Sequence, residues 1–154
     1  MLKRMVLALL IISFLVGCSK EKGNWQSDFT IETVKGIFSL QTDEDIPEYN
    51  TRILIGGVIV KNYESIKAEV YNYYPNELAQ IVIISKPTGG SGCPALFELI
   101  DLTIDGIFIS EEFGSCGDQP DINISEDKVE IMFPAFTNAV KKYEYKIGTS
   151  KIIQ

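Results

Sequence analysis

Much of the chain consists of short runs in which apolar and polar residues alternate. Phe29 and Ile31 alternate with polar side chains, and so do Ile66, Ala68 and Val70. A period of two residues is that of a β-strand with one face in the core and the other in water. These runs therefore predict half-buried strands.

Other runs are continuously apolar and rich in Ile and Val. Residues 52–60 and 78–84 have this composition, which predicts central strands covered on both faces. With shorter runs at 129–133 and 140–147, the chain offers about nine or ten strands separated by turn residues. We therefore predict an all-β class, with a single antiparallel β-sandwich or barrel domain over 27–154. The pattern leaves the choice between sandwich and barrel open.

The dipeptide Asp105-Gly106 predicts a hairpin turn, because it lies between the apolar runs 96–104 and 107–113. A two-residue turn pairs Leu102 with Ile109. That register gives the hairpin an apolar core face and a polar solvent face. The core face contains Leu96, Ile100, Leu102, Ile104, Ile107, Ile109 and Phe113, and the solvent face contains Asp101, Thr103, Ser110 and Glu112.

The first eighteen residues have the order of a secretory signal. Lys3 and Arg4 precede an apolar run over 5–16, and Leu15-Val16-Gly17-Cys18 closes it. As a helix the run extends about 18 Å, against a hydrocarbon core of about 30 Å. The segment resembles a bacterial lipoprotein signal, in which the cysteine of a Leu-x-Gly-Cys lipobox is lipidated. The resemblance implies a cleaved signal peptide over 1–17, acyl chains such as palmitate on Cys18, and a flexible tether over 18–26.

The same resemblance bears on location and on the cysteines. In a Gram-negative host it implies the outer membrane, facing the periplasm, because a residue other than aspartate follows Cys18. That compartment is oxidising and the lipid consumes Cys18, so Cys93 and Cys116 remain as the one possible pair. The hairpin register places Ala95 opposite Cys116, which brings the two thiols within reach. We therefore predict one disulfide that closes the hairpin.

The charge of the chain is acidic and localised. Lys and Arg number 14 against 21 Asp and Glu, a net charge of −7, which becomes −9 when Lys3 and Arg4 leave with the leader. Between residues 87 and 127 there is no Lys or Arg, whereas nine carboxylates lie there. An anionic surface disfavours nucleic acid and suits cationic proteins. The predicted partner-binding residues are Asp101, Glu111, Glu112 and Asp118.

Motifs for catalysis and for metal binding are absent from the sequence. The chain contains no histidine, so the usual general base is missing, and Glu98 with Glu111 or Glu112 is the remaining acid–base candidate. The acidic stretch 43–48 lacks the glycine and the distant glutamate of an EF-hand loop. We predict a protein that is not an enzyme, with no catalytic residue, no cofactor and no metal site, although calcium at the acidic loops stays open.

Two functions fit these observations. The first is a membrane-anchored, non-catalytic binding module of the cell envelope with a cationic protein partner. In its sharper form this module is an inhibitor or immunity protein against a wall-degrading enzyme. The second is a structural or assembly lipoprotein of the outer membrane without a discrete ligand site.

Overall fold

The structure is a computed structural model that describes residues 23–43, 45, 50–75, 79–90, 93–103, 105–114, 119–134 and 141–153. For Ala79, Cys93 and Pro94 it describes the backbone alone. Within these ranges the secondary structure is entirely β, which confirms the predicted class. The strands are β1 (Trp25–Thr33), β2 (Gly36–Asp43), β3 (Asn50–Ile55), β4 (Val58–Tyr63), β5 (Glu69–Pro75), β6 (Ala79–Gly90), β7 (Cys93–Thr103), β8 (Ile107–Ile109), β9 (Asp121–Ile124), β10 (Lys128–Phe133), β11 (Lys141–Lys146) and β12 (Ile152–Ile153).

The strands form three antiparallel sheets of four, each a meander of strands that follow one another in the chain. The first sheet contains β1–β4, the middle sheet β5–β8 and the last sheet β9–β12. The sequence left a sandwich and a barrel open. The described strands instead give three sheets, each with a linear strand order.

The middle sheet has a hydrophobic core on each face. Val82 and Ile84 of β6 pack with the first sheet, whereas Ile81 and Ile83 pack with the last sheet. All four are at most 1% exposed. Because successive strand residues point to opposite faces, a continuously apolar run suits a strand covered on both sides. The prediction made for 78–84 is therefore confirmed over the residues that belong to β6.

The apolar run over 52–60 has a different explanation. It is two strands joined at Gly56-Gly57, and both glycines have positive φ, +58° and +82°. This conformation is that of a tight type I′ hairpin turn, which matches the twist of the flanking strands and favours glycine. The prediction of one central strand there is wrong. The turn residues are glycines without polar side chains, so the turn leaves no polar break in the sequence pattern.

The register of the β7–β8 hairpin also differs from the prediction. Leu102 pairs with Ile107, two residues earlier than predicted. The Thr103 hydroxyl accepts the Gly106 N–H at 3.2 Å and so stabilises a longer loop. A shift of two preserves the faces, so Ile100 still packs in the core with the first sheet. The opposite face, predicted to meet solvent, instead packs on the last sheet.

The amino-terminal end of the described chain joins the first sheet. β1 begins at Trp25, so the last two residues of the predicted tether belong to a strand. The Arg52 guanidinium lies 4.0 Å from the centre of the Trp25 ring. Cys18 and the predicted signal lie outside the described residues. Over the part of the chain that is described, no helix has the length and apolar character needed to cross a membrane.

Candidate functional site

A bulge after β8 creates the site. Ser110 still follows the hairpin register, since its N–H donates to the Leu99 carbonyl at 2.9 Å. Phe113, however, pairs with Phe97, so Glu111 and Glu112 together lie opposite the single residue Glu98. Such an insertion re-aims the side chains around it. Here it moves Phe113 to the face that carries Phe97 and leaves both glutamates exposed.

The bulged segment lies against the last sheet, and aromatic contacts hold the two together. The Phe113 and Tyr143 rings are 5.3 Å apart, and the Phe108 and Tyr145 rings stack at 5.4 Å with only 7° between their planes. The Tyr143 hydroxyl also donates to the Gly114 carbonyl at 3.0 Å. The segment is therefore fixed at both its apolar and its polar positions.

Between this segment and the last sheet lies a groove of about 480 Å³. Aromatic, hydroxyl and charged side chains line it together. The principal lining residues are Phe108, Glu111, Glu112, Phe113, Tyr143 and Lys151. A cleft in which aromatic and charged side chains lie together is a candidate ligand site.

A buried ionic cluster contacts the groove residue Glu112. Lys86 is 3% exposed and Glu98 1%, and the Lys86 ammonium donates to Glu98 Oε1 at 2.8 Å and to Glu112. The Tyr63 hydroxyl donates to the second Glu98 oxygen at 2.6 Å. Burial, followed by this hydrogen bond, raises the pKa of Tyr63 well above its ordinary value, so the phenol stays a donor. Lys61, 3.6 Å from Glu98, completes the cluster.

The acid–base pair considered from the sequence therefore has a cation between its members. Lys86 contacts both Glu98 and Glu112. This arrangement does not resemble two carboxylates facing each other across a substrate.

Asp101 does not lie where the sequence predicted. The alternation of the hairpin predicts a solvent-facing Asp101, but the residue is 1% exposed. Its Oδ2 atom accepts the Tyr145 hydroxyl at 2.5 Å and the Gly148 N–H at 2.9 Å. These long-range partners make burial of the carboxylate possible. Burial of the Tyr145 phenol, followed by its hydrogen bond to Asp101, raises the pKa of Tyr145. The prediction of an exposed Asp101 is wrong.

The other predicted site residues divide into two groups. Glu111 and Glu112 are exposed and line the groove together. Asp118, Cys116 and the Cys93 side chain lie outside the described residues, so the proposed disulfide is not described. Among the residues that are described, no group of three or more His, Cys, Asp or Glu is arranged to hold a metal ion.

The acidic character of 87–127 is weaker in space than in sequence. Lysines from flanking segments approach it: Lys86 pairs with Glu112, Lys141 donates to the Gly114 carbonyl at 3.2 Å, and Lys151 lines the groove. The exposed carboxylate of Glu111 therefore carries most of the negative charge that the bulge presents to the groove.

No family model matches the chain, and neither does any curated protein. Sequence reasoning located two of the groove's carboxylates but missed Phe108, Tyr143 and Lys151. No local pattern marks these three, because β11 and β12 meet the bulge only through tertiary packing.

Proposed function

We propose that this chain is a lipid-anchored, non-catalytic binding module of the bacterial cell envelope. Its groove binds a cationic segment of a protein partner. One observation carries this proposal: Glu111 and Glu112 line the same cleft as Phe108, Phe113 and Tyr143.

The lining chemistry suits Lys and Arg side chains. Such side chains have long apolar stems that pack on aromatic rings and cationic ends that pair with carboxylates. Lys86 already offsets the charge of Glu112, so Glu111 supplies the attraction. Lys151 lines the groove as well, and its charge disfavours an incoming cation nearby. Together these charges favour one orientation of the bound segment.

The lipobox-like segment at the start of the chain supports the proposed location at a membrane. A lipobox-like segment that ends at Cys18, followed by a short polar tether, suits an anchored module that meets its partner beside a membrane. In a Gram-negative host the proposal places it on the outer membrane, facing the periplasm. The partner class that best fits a small acidic anchored inhibitor is a cationic wall-degrading enzyme, for which this chain acts as inhibitor or immunity protein.

A peptide titration tests the groove. The full chain is purified in a neutral detergent and titrated with a fluorescently labelled lysine-rich peptide, and with a second peptide in which glutamine replaces lysine. We expect binding of the lysine peptide alone. Glu111→Gln should weaken it about two- to five-fold, as expected for one exposed ion pair, and Ser150→Trp should fill the groove and abolish binding.

Glu126 provides the matched control. It is exposed, belongs to the same acidic segment and does not line the groove. Glu126→Gln and Glu126→Trp should therefore leave the affinity unchanged. If Glu126→Gln weakened the peptide as much as Glu111→Gln, attraction would come from overall charge and the groove would not be the site.

A further inference from the structure

Exposed apolar side chains are concentrated at one end of the first sheet. Among the described residues, six large apolar side chains are exposed. Four of them lie in or beside the β1–β2 and β3–β4 turns, and we call these four the apolar tip: Val34, Ile37, Val58 and Ile59. Single exposed apolar residues are ordinary on a protein surface, whereas several together mark an interaction site.

The two turns contact each other, so the apolar tip is one surface. The Gly56 N–H donates to the Ile37 carbonyl at 2.9 Å, and a Cβ atom added to Gly36 would lie 3.1 Å from the Gly56 Cα. The Val34 N–H donates to Gln80 Oε1 at 2.8 Å, which ties the first turn to the middle sheet. Backbone contacts therefore hold these apolar side chains at the surface.

The apolar tip continues onto the outer face of the first sheet, which is the face turned away from the middle sheet. Ile37 and Leu54 point to this face, because their neighbours in β2 and β3 belong to the core shared with the middle sheet. Ile59 pairs with Leu54 and points the same way. Arg52, two residues before Leu54, lies over the Trp25 ring and so places that ring on the outer face as well.

We propose that this outer face, from Trp25 to the apolar tip, lies on the surface of a lipid bilayer. The inference rests on the proposed function, because the lipid anchor of that proposal holds the domain beside the membrane. Tryptophan is enriched at membrane–water interfaces, and basic side chains are attracted to anionic headgroups. The side chains of the apolar tip enter the boundary between headgroups and acyl chains.

The position of Trp25 favours a sheet that lies along the membrane. From Trp25 to Thr33, β1 extends about 26 Å. Cys18 lies seven residues before Trp25, a distance of at most about 24 Å. If only the apolar tip entered the bilayer with β1 upright, Trp25 would lie farther from the membrane than this segment reaches. A sheet that lies along the membrane brings both of its ends to the lipid.

The charge distribution favours the same face. Arg52 on the outer face and Lys35 in the first turn are cations, whereas Glu32 is an exposed carboxylate and Asp43 is 2% exposed. The acidic segment 87–127 belongs to the middle and last sheets. Docking through the first sheet therefore keeps most of the negative charge away from anionic headgroups.

The size of the apolar tip suits a lipid surface better than a protein. A standard protein interface buries about 800 Å² on each partner, more than four partly exposed Val and Ile side chains offer. A small patch is sufficient on a membrane, because the anchor makes its contact with the bilayer an intramolecular event. The first and last sheets pack on opposite faces of the middle sheet, so this orientation leaves the groove open to a partner.

Fluorescence quenching by brominated lipids tests this orientation. The full chain is reconstituted into vesicles of phosphatidylethanolamine and phosphatidylglycerol, with or without bromine on the acyl chains. Trp25 is the single tryptophan, so Trp25→Phe provides a background without tryptophan. Val58→Trp or Ile153→Trp is then added, at positions that are 65% and 64% exposed and lie on the first and last sheets. We expect brominated lipid to remove about half of the emission or more at position 58 and to leave position 153 unchanged.

Equal quenching at positions 58 and 153, or no quenching at position 58, would overturn the inference. A blue-shifted emission at position 58 without quenching would place a protein on the apolar tip, and would overturn it as well.

A charged substitution provides a second test in the same background. Ile37→Glu, added to the chain with Val58→Trp, should reduce the quenching at position 58 by about two-fold or more, because a carboxylate at the apolar tip resists entry into the headgroup layer. Ile153→Glu is the matched control and should leave that quenching unchanged. An equal effect of the two substitutions would contradict docking through the apolar tip.

The two proposals fail in different ways. If position 58 is quenched but the lysine peptide does not bind, the docking face stands and the cation-binding groove fails. If the peptide binds with the expected loss in Glu111→Gln while position 58 stays unquenched, the groove stands and the docking face fails.

Discussion

Lys86→Met removes the cation that lies between Glu98 and Glu112. Lys86 and Glu98 are both almost fully buried, so the substitution leaves a carboxylate in the interior without its main partner. Removing one member of a buried ion pair costs about 3–5 kcal/mol. Lys61, 3.6 Å from Glu98, offsets part of this cost, so we expect about 3 kcal/mol. This is a large share of the 5–15 kcal/mol typical of a domain.

Urea denaturation of the full chain measures this cost. With a slope of about 2 kcal/mol per molar, the midpoint should fall by about 1.5 M. The double variant Lys86→Met with Glu98→Gln should recover part of the loss, because the amide carries no charge and still accepts the Tyr63 hydroxyl. Lys142→Met removes an exposed lysine paired with Glu130 and is the control, with little expected change. A Lys86→Met cost below about 1 kcal/mol, or a double variant less stable than Lys86→Met alone, would refute the buried-pair argument.

Three further outcomes are expected. Cys18→Ala should prevent incorporation of a fatty-acid analogue, and a labelled mutant would contradict the anchor. Cys93 and Cys116 should show no free thiol in the unfolded, unreduced protein exported to an oxidising compartment, and thiol titration that finds two would remove the disulfide. Tyr63 and Tyr145 have raised pKa values in the fold, so their stabilisation is complete below the unfolded pKa of about 10 and is lost as pH rises beyond it. Ultraviolet titration should show these two phenols ionising later than the rest, whereas uniform ionisation near pH 10 of the folded protein would contradict their burial.

The sequence identified those strands whose side chains leave no ambiguity. Residues 81–84 are all apolar, so neither face of that segment suits water, and both faces are in fact buried. At Asp101 the same logic failed. A period of two assigns a charged residue to solvent, but the partner that permits its burial, Tyr145, lies 44 residues later. Local patterns do not contain that information.

The candidate site, too, was predictable from the sequence only in part. The absence of cations over 87–127 drew attention to Glu111 and Glu112, which do line a groove. The bulge that exposes them depends on the pairing of Phe113 with Phe97, and the opposite wall comes from the last sheet. Lys86 and Lys151 approach from outside the acidic segment, so a charge count along the sequence overstated the negative charge in space.

Site-specific photo-cross-linking in living cells tests the central claim most directly. A benzophenone amino acid replaces Lys151, which lines the groove, or Lys146, which is exposed on the same sheet away from it. We expect a covalent adduct with one basic envelope protein from position 151, none from position 146, and a weaker adduct when Glu111→Gln is added. Equal adducts from both positions, or an adduct from position 151 that Glu111→Gln leaves unchanged, would contradict a cation-binding groove.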